Sequence, residues 1–250
     1  MKIINKSRIP DALFRYLAVD HYDHEEKGDS LSATELLNPI QIIVLNRRYF
    51  KDIVVDAIDR LWIMLGNGVH KILEEEEGIE KIERLKVKVC GRDVSGRWDR
   101  IFDNRVTDYK ITSAWTVVYG SRNEEWRLQL SIYRWLYYKV KGILLDKHGS
   151  IVALLRDWSE KNTKPLKSGL ENNYPKAPAV EISFSLLSTE DTQKFIEDKV
   201  KAVTQAEKLK DDKLPGCTDE ERWLQKSGVY TRCEKYCNVA TFCKQWKGGK

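Results

Sequence analysis

Residues 95–110 read Ser95-Gly96-Arg97-Trp98-Asp99-Arg100-Ile101-Phe102-Asp103-Asn104-Arg105-Val106-Thr107-Asp108-Tyr109-Lys110. Suppose that Asp103–Asn104 forms a two-residue hairpin turn, for which Asn at a positive-φ position is well suited. Phe102 then faces Arg105, Ile101 faces Val106, and Asp99 falls opposite Asp108. Cross-strand partners share a face of the sheet, with Cβ atoms about 5 Å apart. Lys110, two residues past Asp108, points to that same face. Opposed carboxylates repel, and a divalent cation between them removes the cost; hard ions such as Mg²⁺ favour oxygen-rich sites of this kind. A neighbouring lysine orients or deprotonates a water, or stabilises charge on a phosphoryl oxygen. The spacing therefore suggests a metal-dependent phosphodiester hydrolase. The competing reading is an exposed hairpin with charges scattered over its solvent face.

Outward from this hairpin, the period of the apolar residues assigns the neighbouring elements. KVKVCG, VSGRWDRIF and RVTDYKI read as three successive strands joined at Gly91–Asp93 and Asp103–Asn104. Upstream, a long helical pattern runs from about Tyr49 to Glu77, with the stripe Val54, Ile58, Leu61, Leu65, Val69 and Leu73, interrupted by Gly66 and Gly68. SATELLNPI reads as a short helix, begun by a capping Ser32 with Glu35 three residues on and stopped near Pro39. Downstream come an amphipathic helix from about Arg122 to Tyr138, strands at SIVALLRDW and AVEISFSLL, and a helix from Thr189 to about Leu209. The order is that of an α/β core closed by a small cysteine-bearing tail.

The chain has 250 residues, 42% of them hydrophobic, enough for a sizeable core. A net charge of +5 is too mild to establish a nucleic-acid partner. No apolar run approaches the roughly 20 residues that span a bilayer, so no membrane partner is expected. The opening MKIINKSRIP lacks a signal-peptide core, which points to the cytoplasm. Residues 1–33 read as mixed, with a charged loop in which His21 and His24, flanked by Asp20, Asp23 and Glu25, form a candidate metal group or, on the favoured reading, a solvated acidic loop.

In a reducing compartment the five cysteines suit metal or cluster binding better than disulfides. Cys217, Cys233, Cys237 and Cys243 are spaced C-x15-C-x3-C-x5-C, which fits tetrahedral Zn²⁺ or a [4Fe–4S] cluster. Cys90 lies in the first predicted strand, where a free cysteine usually packs as a small buried hydrophobe; it is also an alternative to Cys217 as the fourth ligand.

Gly96-x-x-Asp99, then Asp108-Tyr109-Lys110, then Gln129-Leu130-x-x-Tyr133, in that order, resemble the PD-(D/E)XK nuclease superfamily, and most of all its RecB-type branch of CRISPR-associated and phage exonucleases. The segment Gly66–Glu74 is similar to the branch's upstream helix, which carries a metal-binding histidine, here His70. The resemblance implies a restriction-endonuclease-like αβββαβ core with a mixed sheet flanked by helices. It implies an N-terminal segment at 1–48, a nuclease core at 49–210 and a cysteine-rich module at 211–250. Asp99 and Asp108 would ligate Mg²⁺ or Mn²⁺ with the carbonyl of Tyr109 and with His70, and Lys110 would be the catalytic lysine. Gln129 and Tyr133 would contact DNA or steady the site, or belong simply to the amphipathic helix with Leu128, Ile132 and Leu136. Glu74 would stand behind His70. Asp108 stands where Glu is common.

The same branch often closes with a cysteine group that holds an iron–sulfur cluster, so Cys217, Cys233, Cys237 and Cys243 are expected to hold [4Fe–4S] in preference to zinc. Here the spacing differs, and the remaining cysteine lies downstream of the core instead of before it.

The implied activity is an Mg/Mn-dependent deoxyribonuclease, an exonuclease of recombination, repair or phage DNA processing. Its partners would be single- or double-stranded DNA, another copy of the chain, or a recombination or helicase protein, in a bacterial, archaeal or phage-infected cell. Trp98, Trp115 and Trp126 are candidates for stacking on bases, although most of the eight tryptophans are expected in the core. A catalytically silent DNA-binding or assembly subunit is the alternative; the presence of Asp99, Asp108 and Lys110 speaks against it. A restriction endonuclease would need a recognition domain that the sequence does not suggest.

Overall fold

A computed structural model of the chain describes residues 1–19, 29–76, 83–164 and 172–246, without the side chains of Glu74 and Glu76. The loop of His21 and His24 therefore lies outside the described residues, as does the expected role of the Glu74 side chain. The chain divides into two compact units, one of Met1–Leu61, Val89–Arg92 and Phe195–Lys250, the other of Trp62–Lys88 and Asp93–Lys194.

The first unit opens with β1 (Lys2–Ile4) and α1 (Asp11–Ala18), in the stretch that reads from sequence as a mixed helical and loop segment. A two-residue strand, β2 (Leu31–Ser32), leads into α2 (Ala33–Leu36). The cap of α2 forms as predicted: the Glu35 N–H donates to Ser32 Oγ at 3.1 Å and the Ser32 N–H donates to the Glu35 carboxylate at 3.4 Å. Pro39, expected to stop this helix, also starts the next one, α3 (Ile40–Tyr49), where its fixed φ of −54° serves as the N-cap. Gln41, Ile42, Ile43, Val44 and Leu45 of α3 are all buried. This all-round burial removes the polar face that a helical period needs, so α3 escapes a reading by periodicity.

The expected helix from Tyr49 to Glu77 is not continuous. Val54–Asp56 form β3, parallel to β1 in the register Lys2↔Val54, Ile3↔Val55, Ile4↔Asp56. β-Branched Ile53, Val54 and Val55 favour extended backbone. Asp56 is held by Ser7, whose N–H and hydroxyl donate to its carboxylate at 2.9 and 2.6 Å. A 3₁₀ turn at Ala57–Arg60 then leads into α4 (Leu61–Glu76). The predicted stripe is accordingly no buried seam, since Val54 is 56% and Leu65 40% exposed.

The second unit carries the expected αβββαβ order, with one strand split in two. After α4, β4 (Leu85–Val89) and β5 (Arg92–Gly96) pair as neighbours. Cys90 and Gly91, at φ of +48° and +86°, make the turn between them. Cys90 is exposed, so it is a turn residue and not the small buried hydrophobe that the strand reading implies. The predicted strand VSGRWDRIF breaks after Gly96 and resumes as β6 (Arg100–Phe102).

β7 (Arg105–Thr112) follows, then α5 (Ala114–Tyr119), α6 (Asn123–Lys141), β8 (His148–Leu155) and β9 (Ala179–Ser185). The sheet order is β6-β7-β8-β9, with β7 and β8 parallel and both outer pairs antiparallel. This mixed sheet with its helices is the α/β, restriction-endonuclease-like architecture expected from sequence. Last comes α7 (Thr189–Ala206), followed by the tail, in which Cys233 sits on a single π-helical turn at Arg232–Tyr236.

Candidate active site and cysteine cavity

Asp103 and Asn104 adopt φ of +47° and +59°, both left-handed, as a two-residue turn that matches strand twist requires. The register follows: Phe102↔Arg105, Ile101↔Val106, Arg100↔Thr107. Asp99 stands one residue outside this ladder, and its carboxylate reaches the opposite strand, where the Tyr109 N–H donates to Oδ2 at 2.7 Å. The other carboxylate oxygen of Asp99 lies 3.2 Å from Nδ1 of His70, which α4 supplies. Asp108, 3% exposed, is ion-paired with Lys110. The His70 ring meets that of Tyr109 edge-on, 6.3 Å between centroids. His70, Asp99, Asp108, Tyr109 and Lys110 are thus brought together.

Gln129 and Tyr133 lie on α6 and are both buried, and the Gln129 amide donates to the Tyr133 hydroxyl at 2.7 Å. Gln129 thus holds Tyr133, whose ring packs on β5 at Gly96. A Cβ on Gly96 would fall 2.7 Å from Leu136 Cδ1 and 3.1 Å from the Tyr133 ring, so the glycine of G-x-x-D permits the close approach.

The electrostatics are those of anions crowded out of water. Burial raises Asp108 to about 6, opposed by the charge of Lys110 and reinforced by that of Asp99. Asp99, also subject to burial, is nonetheless held below the ordinary carboxylate range by the His70 bond and charge and by the Tyr109 N–H. Burial pushes the His70 imidazole down, but the hydrogen bond and charge of Asp99 outweigh it and raise it.

Among the described residues, no three His, Cys, Asp or Glu side chains are gathered as a metal-binding group. The protein's own basic side chains meet the anions: Lys110 pairs with Asp108, and His70 turns to Asp99. The donor chemistry nevertheless fits a divalent ion. A buried carboxylate that takes up protons so readily, with a second carboxylate and an imidazole at hand, is a place where a hard cation relieves repulsion.

The same unit holds residues that sequence reasoning missed. Asp157, just after β8, accepts from the Ser113 hydroxyl and the Ala114 N–H, both at 2.6 Å, and so fixes the start of α5 where β7 ends. Its neighbour Arg156 lies over the ring of Trp62, 4.3 Å from the centroid, and Trp62 is 47% exposed. Trp115 is exposed as well and stacks on Tyr119, 5.9 Å between centroids. Trp98 and Trp126, the other tryptophans proposed for base stacking, are buried at 5% and 1% exposure and belong to the core.

In the first unit, Cys217, Cys233, Cys237 and Cys243 line one cavity together with Gln41, Arg222 and Arg232. Cys217, Cys237 and Cys243 also pack on the buried cluster of Ile42, Leu45 and Val239. The Cys217 thiol is pushed up to about 12 by burial and then by Glu221 and Cys243, and the Cys237 thiol is raised chiefly by burial. Thiols that resist ionisation in one another's company suit a soft cation or cluster that takes up their charge. Neither Gln41 nor the two arginines carry a motif; only their contacts across the chain reveal them.

The family model of the PD-(D/E)XK nuclease superfamily matches residues 15–244. The chain belongs to that superfamily. The crystal structure of SSO0001 is similar to it, with a TM-score of 0.55 and 17% identity over 94% of this chain and 96% of that one, a likeness of fold. A search of curated proteins finds no match. Membership in the superfamily brings nuclease chemistry, the hydrolysis of DNA phosphodiester bonds with divalent metal. Among the described residues no helix is long and apolar enough to cross a membrane.

Proposed function

We propose that this superfamily member is a Mg²⁺- or Mn²⁺-dependent deoxyribonuclease of the RecB type, an exonuclease acting in recombination, repair or phage DNA processing. The observation that supports it is the meeting of Asp99, Asp108, Lys110 and His70 on one hairpin and one helix. His70, Asp99, Asp108 and the Tyr109 carbonyl would hold the ion, which when bound supplies Lewis acidity at the scissile phosphate. Lys110, freed from Asp108, would orient the attacking water and stabilise charge on the phosphoryl oxygen. Gln129 would steady the site through Tyr133, whose ring lies against Gly96 of the G-x-x-D turn.

Trp62 under Arg156, and Trp115 on Tyr119, offer exposed rings on which unpaired bases stack, while Arg156 meets phosphate. Cys217, Cys233, Cys237 and Cys243 would hold a [4Fe–4S] cluster, or Zn²⁺ in its place, pinning the tail to α3, since the binding free energy of such a site is folding free energy.

Incubation with end-labelled linear and circular DNA, with and without Mg²⁺ or Mn²⁺, tests this reading. Metal-dependent release of mononucleotides from linear DNA alone is expected. Cleavage of circles would make it an endonuclease, and tight binding without cleavage a silent subunit.

A further inference from the structure

Gln41 is an amide in an apolar place. It lies on the first turn of α3, 4% exposed, between Ile40 and the core residue Ile42. Burying an amide is costly unless it is hydrogen-bonded, so its partners matter. They are two of the four cavity cysteines: Cys217 and Cys243 donate to Gln41 Oε1 at 3.5 and 3.4 Å. Both bonds exist only while the sulfurs carry protons. Ligation to a metal or cluster takes thiolates, which accept and cannot donate. The Gln41 carbonyl would then face bare negative sulfur. A half-turn of the terminal amide exchanges Oε1 for Nε2, two atoms of nearly equal size, with no movement of α3.

A second donor points the same way. Arg222 lines the same cavity beside Cys233, and among the described residues its buried Nε–H has no hydrogen-bond partner. A buried N–H beside a group of thiols suits an anionic sulfur as acceptor.

We propose that Gln41 is a positioning residue for whatever the four cysteines hold: its amide donates to the Cys217 and Cys243 sulfurs of the loaded site, with Arg222 donating at Cys233. This rests on the reading that the four cysteines ligate. Hydrogen bonds to ligating sulfur draw electron density from it and raise the reduction potential of an iron–sulfur cluster. They also slow its loss, and groups of this kind typically change metal affinity by 10–100-fold.

The full chain, reconstituted with Fe²⁺ and sulfide, is compared with Gln41→Glu, which keeps the shape and, once ionised, donates nothing, and with Gln41→Met, which fills the volume without polarity. Two quantities are read: the reduction potential by dithionite titration followed in visible absorbance, and the rate of iron release to a chelator. Lower potentials in both variants and release faster by about tenfold, with Glu more affected than Met, are expected. If the wild type takes up zinc in place of a cluster, zinc release to a chromogenic chelator gives the same comparison. Variants matching the wild type in potential and release overturn the role of Gln41 alone. So does a loss of metal-free thermal stability with unchanged potential or release, which would mark Gln41 as packing only. A wild type that holds neither metal overturns the four-cysteine reading and Gln41 with it.

Discussion

The two chemical centres of this chain are assembled in opposite ways. Asp99, Asp108 and Lys110 lie within one β-hairpin, placed by a two-residue turn and a ladder of three residue pairs. The cysteine cavity joins Gln41 to Cys217 and Cys243 across 176 and 202 residues. A centre built on one hairpin needs little of the rest of the molecule to hold its geometry. A centre that gathers distant segments exists only once the chain has folded, and it adds to stability whatever it binds. Damage to the first should therefore appear as lost chemistry, and damage to the second as lost structure.

The sharpest test of that division is replacement of the hairpin residues. Lys110→Ala should lower cleavage by about 10²–10⁴-fold, and Asp99→Ala or Asp108→Ala by at least as much, with circular dichroism and Tm little changed. Unimpaired cleavage in any of the three would remove the hairpin from catalysis.

The reverse is expected in the tail. Cys217→Ser or Cys237→Ser should lower Tm by roughly 10 °C, measured by calorimetry on protein as isolated. A tail variant that melts like the wild type would show the cavity to be empty of any stabilising ion.

Acidity should separate the centres next. A proton held by Asp108 up to about pH 6 competes with a metal ion, which takes the carboxylate deprotonated. Metal affinity is then full above pH 7, begins to fall as pH drops through 6, and is weaker by about tenfold at pH 5. Isothermal titration with Mn²⁺ at both pH values measures it; equal affinity would mean that Asp108 is no ligand.

Smallest is the effect at the exposed rings. Trp62→Ala should weaken binding of a single-stranded oligonucleotide in Ca²⁺ by roughly tenfold, read by fluorescence anisotropy, with binding of a blunt duplex little altered. Equal losses on both substrates would assign Trp62 to packing.

What could be read in advance divides along the same line. The Asp103–Asn104 turn, the Ser32–Glu35 cap, the strands β7 to β9 and the long helices α6 and α7 are written in neighbouring residues, where period and turn chemistry operate. The features that were not legible depend on distant partners. Val54 begins a helical stripe by spacing, yet with Val55 it becomes a strand because β1, far earlier in the chain, offers a parallel edge and Ser7 holds Asp56. α3 is hidden by the burial of five consecutive residues, Gln41 to Leu45, and with it the amide that faces the cysteines. Trp98 and Trp115 look alike in sequence; only the packing of the helices sends one inside and leaves the other in solvent. Cys90 looked like a core residue by virtue of its strand, and one left-handed φ places it outside.

The turn at Asp103–Asn104 carries a last consequence, for how such an enzyme tolerates change in length. Side chains alternate between faces at every step along a strand, so one additional amino acid at this bend would slide β6 against β7 and rotate Asp99 away from the Tyr109 amide. Most surface loops absorb insertions with little harm. This one should not, and a single-codon insertion here would leave a well-folded protein with no place for its ion.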